Sequence, residues 1–225
     1  MLLLSNSGKP LYHWCKQTLV DFFGDRIVSF ISAATVYDEN GYFKQVVQTL
    51  KPLGLKLNHL TLDRMSKGDF DDVESFLVGG GNTYRLISEL KKHYALKKIK
   101  NSVMDGALFA GFSAGANITG PNILTTNDWN VIRSTTFESL NIVPFNLNPH
   151  YGAPQDKILT SAESRDVRIY EYFEFHDNPV VAIEEETYLE IDNNKISVGG
   201  KGIAKVFLKG KEPKIYGSGQ FIKLD

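Results

Sequence analysis

The sequence predicts an α/β fold with a mostly parallel sheet and helices on both of its faces. Short apolar runs such as Ile27 to Ile31 alternate with amphipathic segments such as Tyr42 to Leu50 through about residue 175. From Val180 onward, short strand-like runs follow one another, separated by turn residues. We therefore expect a single domain over residues 1–225, in which hairpin-like C-terminal strands extend or flank a parallel sheet.

The individual elements are predicted from apolar spacing and from the turn residues that bound them. Strands are expected at 2–4, 27–31, 55–60, 76–78, 107–110 and 142–147. Helices are expected at 11–23, 42–50, 84–94 and 165–175, with a short helical or turn segment at 70–75. The C-terminal strands are expected at 180–183, 188–191, 195–198, 204–208 and 219–224.

The composition and the apolar pattern argue for a chain with its own core and against nucleic-acid-binding, membrane-spanning and secreted proteins. The 225 residues are 42% hydrophobic, which is enough for a full core, and the net charge of −1 argues against nucleic-acid binding. No apolar run reaches the length of a membrane span, and the segment from Met1 to Leu4 is too short for a secretory signal. The single cysteine, Cys15, excludes an internal disulfide and favours a reducing compartment, so we expect a cytoplasmic protein.

One stretch of the chain suggests nucleophilic catalysis. The apolar run from Ala107 to Ala110 leads directly into Gly111-Phe112-Ser113-Ala114-Gly115, which fits the G-x-S-x-G pattern of a nucleophile elbow. Small residues around the serine allow a sharp turn between strand and helix. The pattern predicts Ser113 as the nucleophile, although a small-residue turn also matches so loose a motif by chance.

A serine nucleophile needs a base, and His150 is the best candidate. It lies in Asn148-Pro149-His150-Tyr151, at the end of a predicted strand, where ligands sit in parallel sheets. Pro149 fixes the chain just before it. The other four histidines occupy positions that a strand or helix explains; they are His13, His59, His93 and His176.

The remaining parts of such a site are an acid and two amide donors. Asp128 and the run Glu184-Glu185-Glu186 are the candidate acids, and the residues alone leave the choice open. The Ala114 amide is the natural first oxyanion donor, and the glycine run at Gly79 to Gly81 offers a second. That run lacks the spacing of a nucleotide-binding loop, and no clustered set of metal ligands occurs, so neither cofactor nor metal is expected.

Five stretches together resemble the peptidase E family, serine dipeptidases that remove an N-terminal aspartate from Asp-X dipeptides. They occur in the family's order and cover nearly the whole chain; they are Leu3-Leu4-Ser5-Asn6-Ser7, Val78-Gly79-Gly80-Gly81-Asn82-Thr83, Gly111-Phe112-Ser113-Ala114-Gly115-Ala116-Asn117, Thr125-Thr126-Asn127-Asp128 and Asn148-Pro149-His150-Tyr151. The resemblance implies a fold similar to class I glutamine amidotransferases and a Ser-His-Glu triad.

The resemblance assigns roles by position. Ser113 and His150 match the nucleophile and the base, and the acid falls on Glu185. On either side of it the chain departs from the family, since Glu184 stands where a proline is expected and Glu186 where a glycine is expected. The oxyanion hole is implied at Gly81 and Ala114, and Asp128 matches an aspartate near the site, in a substrate or supporting role or as the alternative acid.

Specificity for aspartate requires a cation, and Arg165 resembles the family's arginine, with Arg168 as the alternative. The expected partner is a small peptide substrate, with no nucleic acid and no membrane, and the chain is expected to be a monomer or homodimer. Two alternatives remain. One is a hydrolase similar to cyanophycinase that cuts β-linked or isoaspartyl material with the same triad, and the other is a non-catalytic binder of a small acidic metabolite.

Overall fold

Two sheets form the framework of the chain. The computed structural model describes residues 1–70, 73–153 and 164–225. Its strands are β1 (Leu2–Leu4), β2 (Ile27–Ile31), β3 (Lys56–His59), β4 (Ser75–Val78), β5 (Leu108–Phe112), β6 (Asn146–Tyr151), β7 (Val180–Glu184), β8 (Thr187–Asp192), β9 (Lys195–Gly200), β10 (Ala204–Phe207), β11 (Lys214–Tyr216) and β12 (Phe221–Ile222). Its helices are α1 (Lys16–Phe23), α2 (Glu39–Leu50), α3 (Leu62–Lys67), α4 (Thr83–Lys92), α5 (Ala95–Met104), α6 (Ala114–Asn117) and α7 (Arg165–Phe175), with a 3-10 turn at Lys51–Leu53.

The larger sheet has the strand order β12-β9-β8-β1-β5-β4-β2-β3. Neighbours from β1 through β5, β4 and β2 to β3 are parallel, whereas β8, β9 and β12 extend the sheet as antiparallel strands. The predicted α/β class with a mostly parallel sheet and C-terminal extension is therefore confirmed.

Helices cover both faces of this sheet because its central strands are apolar on both sides. On one face Leu19 of α1 and Val46 of α2 pack with Leu4 and Phe112. On the other face Leu86 of α4 and Ile99 of α5 belong to a second buried cluster, and the strand residues of that cluster include Leu3, Val78 and Phe109. Alternate residues of one short strand thus enter two separate cores, which is what the unbroken apolar run of β1 requires.

The smaller sheet has the order β11-β10-β7-β6, with β6 parallel to β7 and the other neighbours antiparallel. Helix α7 packs on it, because Ile169 and Phe173 form a buried cluster with Val180 and Phe207. The turn between β7 and β8 connects the smaller sheet directly to the larger one. The C-terminal strands therefore both extend the main sheet and flank it.

Several predicted boundaries differ from the structure. Helix α1 begins at Lys16 rather than Leu11, because hydrogen-bonded turns occupy the preceding residues and Tyr12 has a φ of +57°. Helices α3 and α5 were not predicted; Tyr94, with a φ of +55°, ends the preceding helical segment and separates α5 from it. Strand β6 runs four residues further toward the C-terminus than predicted, through His150 to Tyr151.

Candidate active site

Ser113 lies on a sharp turn between β5 and α6, with φ +49° and ψ −107°. A non-glycine residue held at positive φ stores backbone strain, which the surrounding packing must impose. A Cβ on Gly111 would overlap the carbonyl oxygen of Gly115, and a Cβ on Gly115 would overlap that of Val78. Both glycines are thus required by close backbone approach, and the turn has the geometry that the G-x-S-x-G pattern predicts.

His150 occupies a bulge in β6. The pairing with β7 runs from Pro149 opposite Ile183 to Tyr151 opposite Glu184, so His150 is the extra residue, and its φ is +61°. A bulge redirects its side chain relative to the rest of the strand. The imidazole Nε2 atom lies 2.7 Å from the Ser113 Oγ atom, within hydrogen-bond distance.

Glu185 lies in the turn between β7 and β8, and its Oε1 atom is 2.8 Å from the Nδ1 atom of His150. Since a carboxylate only accepts hydrogen bonds, Nδ1 carries the proton in this pair and Nε2 is free to accept the serine hydroxyl proton. Glu185 is therefore the carboxylate that the fold brings to His150. The side chains of Glu185, His150 and Ser113 form a continuous chain of hydrogen bonds.

The two neighbouring glutamates have other partners. Glu184 accepts the backbone N–H of Ile203 at 3.1 Å. Glu186, in the left-handed region at φ +55°, binds His13 at 3.0 Å and Lys201 at 2.6 Å. The hydrogen bond from Lys201 lowers the pKa of the Glu186 carboxyl. Glycine adopts this left-handed backbone conformation most readily, and glycine is the residue that the family resemblance leads us to expect at position 186.

The two predicted oxyanion donors are Ala114, which directly follows Ser113, and Gly81, which lines the cavity of Ser113. Ala114 is the first residue of α6, where a helix leaves its N–H groups unpaired. Gly81 lines the cavity above Ser113, and its φ of +142° places the chain where a Cβ would overlap the carbonyl of Ala34. Within residues 1–70, 73–153 and 164–225, neither N–H donates to a protein acceptor.

Asp128 lines the same cavity but is not brought to His150. Its Oδ2 atom accepts the N–H of Thr83 at 2.7 Å and the hydroxyl of Thr126 at 3.2 Å. Asp128 thus helps to cap α4 together with Asn82, whose side chain accepts the N–H of Arg85. This placement does not favour Asp128 as the alternative acid.

The two predicted specificity arginines lie on α7. Arg165 is its first residue and is buried, whereas Arg168 lines a separate cavity beside Tyr172 and His176. Neither is among the described residues that line the cavity of Ser113. Most of the loop before Arg165 falls at 154–163, outside the described residues, so the assignment of Arg165 to the substrate carboxylate stays a prediction.

The cavity around Ser113 has a volume of about 1120 Å³, and three of its charged residues were not singled out from the sequence; they are Lys9, Asp38 and Lys201. The described part of its lining includes two cations, Lys9 and Lys201, and four carboxylates at Asp38, Asp128, Glu185 and Glu186. The absence of a side chain at Gly80 leaves space beside the nucleophile, because a Cβ there would lie only 3.3 Å from Ser113 Cβ. The site therefore presents both signs of charge to a substrate.

The sequence analysis assigned no role to Ser5 and Asn6, two polar residues that directly follow β1. Ser5 accepts the backbone N–H of His150 through its hydroxyl at 2.9 Å, and Asn6 accepts the backbone N–H of Glu186 at 2.8 Å. Their position could have pointed to the site, because they form a polar pair directly after a buried strand, at the edge of the sheet where the site lies.

Other classes of site have no support in the described residues. In those three segments, no group of three or more His, Cys, Asp or Glu side chains is arranged to hold a metal ion. None of the helices described there has the length and apolar character needed to span a bilayer. Cys15 is buried in the core, and this burial raises the pKa of its thiol.

Comparison with known proteins identifies the family. The model of peptidase family S51 matches residues 1–199. The chain belongs to this family. It is 31% identical over 219 residues to a protein named Peptidase E from Streptomyces coelicolor, covering 95% of this chain and 89% of that protein. It is 32% identical over 225 residues to Peptidase E from a Nostoc strain, covering 96% and 92% of the two chains.

Solved structures share the fold of this S51 peptidase. The crystal structure of a peptidase from an acI-B1 Actinobacterium matches with a TM-score of 0.76 at 18% identity, over 99% of this chain and 96% of that one. That of a putative Peptidase E from Listeria monocytogenes matches with a TM-score of 0.69 at 24% identity, over 88% and 96%. The family membership makes the chain a serine-type peptidase and a hydrolase, as predicted.

Proposed function

We propose that this S51 peptidase is an exopeptidase that hydrolyses dipeptides with an N-terminal aspartate, using Ser113, His150 and Glu185 as its catalytic triad. The single observation that carries the proposal is the hydrogen-bonded chain from Ser113 Oγ to His150 Nε2 at 2.7 Å and from His150 Nδ1 to Glu185 at 2.8 Å. A nucleophile, a base and an orienting acid in this order are what acyl transfer at neutral pH needs.

In the first half of the reaction, the Ser113 hydroxyl attacks the peptide carbonyl while His150 takes its proton at Nε2. The negative charge that develops on the carbonyl oxygen is stabilised by the N–H groups of Gly81 and Ala114. His150, now an imidazolium, is held by Glu185 and donates its proton to the leaving amine. The C–N bond breaks, and an aspartyl ester of Ser113 remains.

In the second half, water attacks the ester with His150 again acting as base. The proton that His150 removes from water is returned to Ser113 as the ester bond breaks, which releases free aspartate. The strained turn at Ser113 supports this chemistry because it presents the hydroxyl at the tip of the elbow, beside the cavity.

Recognition of the substrate needs one group of each sign. An N-terminal aspartate carries a protonated α-amine and a side-chain carboxylate, so it requires an anionic and a cationic partner. We assign Asp128, on the cavity wall, to the amine and Arg165 to the carboxylate. Arg165→Gln is expected to lower kcat/KM for Asp-Leu by about tenfold to a hundredfold, whereas the matched Arg168→Gln is expected to leave it unchanged.

The test of the proposed function is a substrate panel. Hydrolysis of Asp-Leu, Glu-Leu, Ala-Leu and isoaspartyl-leucine is measured with wild type and Ser113→Ala by quantifying released leucine. Turnover of Asp-Leu alone, abolished in Ser113→Ala, is the expected result. Turnover of Ala-Leu at a similar rate would refute the specificity, and turnover in Ser113→Ala would refute the triad.

A second hydrolytic specificity is favoured by one feature of the cavity. Asp38 adds a carboxylate to its lining, which suits a positively charged leaving residue such as the arginine of β-linked aspartyl-arginine material. Adding the dipeptide β-Asp-Arg to the substrate panel tests this alternative. The alternative predicts that isoaspartyl-leucine and β-Asp-Arg are cleaved in preference to Asp-Leu.

A further inference from the structure

The nucleophile and its base belong to different sheets. Ser113 follows β5 of the larger sheet, whereas His150 lies in β6 of the smaller sheet and Glu185 follows β7. The distance from Ser113 Oγ to His150 Nε2 therefore depends on how the two sheets are joined at this edge. Misplacement by about 1 Å is enough to slow such a reaction about a hundredfold.

Ser5 is the residue that joins the sheets at this point. Its hydroxyl accepts the N–H of His150 at 2.9 Å and donates to the carbonyl of Ile183 at 3.3 Å, and both of these residues belong to the smaller sheet. Its own N–H donates to the carbonyl of Thr187 at 2.9 Å. Ser5 itself directly follows β1 of the larger sheet and is completely buried.

Asn6 makes a similar contact to the residue that follows the acid. Its Oδ1 atom accepts the N–H of Glu186 at 2.8 Å, which fixes the turn that presents Glu185. Two consecutive side chains thus bind the backbone beside the base and beside the acid. Both backbone positions are in the left-handed region, with φ of +61° at His150 and +55° at Glu186, so neither is held by ordinary strand geometry.

We propose that Ser5 and Asn6 are positioning residues, which set the His150–Glu185 pair against Ser113 by hydrogen-bonding the backbone on which that pair is carried. The proposal rests on the triad of the proposed function. Without the Ser5 hydroxyl, the N–H of the His150 bulge loses its acceptor, and the bulge relaxes toward another arrangement. Since buried Ser5 does not line the cavity, its loss affects the rate of the chemical step rather than substrate binding.

The test compares Ser5→Ala with Ser75→Ala. Ser75 is a matched control because it is also completely buried in a strand of the larger sheet, where its hydroxyl donates to the Ile27 carbonyl at 2.8 Å. Ser5→Ala is expected to lower kcat for Asp-Leu by about tenfold to a hundredfold with KM within about twofold. Ser5→Thr, which keeps the hydroxyl, is expected to restore most of kcat, and Ser75→Ala to retain the wild-type kcat.

Equal kcat values for Ser5→Ala and Ser75→Ala would overturn the proposal, as would a Ser5→Thr variant no faster than Ser5→Ala. If Ser5→Ala does not fold, Asn6→Ala is measured instead, because Asn6 is half-buried and the protein is expected to tolerate the change. Since Asn6 also lines the cavity, kcat alone is the readout for this variant: it is expected to fall, and an unchanged kcat would overturn the proposal. If wild type does not cleave Asp-Leu, the specificity of the proposed function fails alone. The rate at which a fluorophosphonate inactivates each variant then provides the same comparison.

Discussion

Glu184 and Glu185 are adjacent, yet only one of them reaches the base. Glu185 contacts His150 at 2.8 Å, whereas Glu184 accepts the backbone N–H of Ile203. If Glu185 holds the imidazole during catalysis, Glu185→Gln is expected to lower kcat about a thousandfold or more, because an amide favours the wrong tautomer. Glu184→Gln keeps an oxygen acceptor for Ile203 and serves as the control, with kcat close to wild type. Steady-state kinetics on Asp-Leu measure both.

The choice of the acid among neighbouring glutamates is a part of the site that the residues alone could not predict. The G-x-S-x-G pattern and the strand-end position were enough to single out Ser113 and His150. The choice among Glu184, Glu185 and Glu186 depends on the conformation of a turn, including the left-handed backbone at Glu186. Composition carries no information on that conformation, so the residues alone left these three glutamates open together with Asp128, and only the family resemblance preferred Glu185.

The nucleophile elbow between β5 and α6 is tightly packed. A Cβ on Gly115 would overlap the carbonyl of Val78, so Gly115→Ala must push α6 away from β4. We expect the free energy of unfolding to fall by about 2 to 3 kcal/mol, with loss of activity because Ser113 moves with the turn. Gly217→Ala is the control, since its Cβ would meet only Gln220 Oε1 at 3.8 Å and should leave stability unchanged. Urea denaturation measures both, and equal stability would contradict the packing argument.

The sequence predicted the individual strands and helices more securely than it predicted which strands pair with each other. The apolar runs of β1, β2, β4 and β5 identify buried parallel strands, because both of their faces are covered. The sequence did not indicate that β6 would leave that sheet and pair with β7. Strand pairing across more than 30 residues is decided by tertiary packing, which a local pattern does not encode.

At the scale of the whole molecule, we expect His59 to make stability depend on pH. Burial lowers the pKa of its imidazole below 6.5, as the ring stacks on Phe43 and pairs with Ser32. The folded state therefore favours neutral His59. Its contribution is present above pH 6.5 and is lost as pH falls toward the lowered folded pKa, because the unfolded chain takes up a proton first. We expect the free energy of unfolding to decrease from pH 7.5 to 5.5, and less so in His59→Gln. An unchanged pH dependence in the variant would refute this origin.

The arrangement of the two sheets is the part of the molecule that connects its fold to its chemistry. One sheet provides the strained elbow at Ser113, and the other provides the bulge at His150. The turn after β7 and the end of β1 join them. The central claim is that Ser113, His150 and Glu185 across this junction act as one catalytic unit.

The most direct test of that claim is labelling with a fluorophosphonate, followed by peptide mass spectrometry, which does not depend on knowing the substrate. We expect a single adduct on Ser113 in the wild type, none in Ser113→Ala, and labelling slowed by about a hundredfold or more in His150→Ala and Glu185→Gln. An adduct on another serine, or labelling of Ser113 at the wild-type rate when His150 is replaced, would contradict the account.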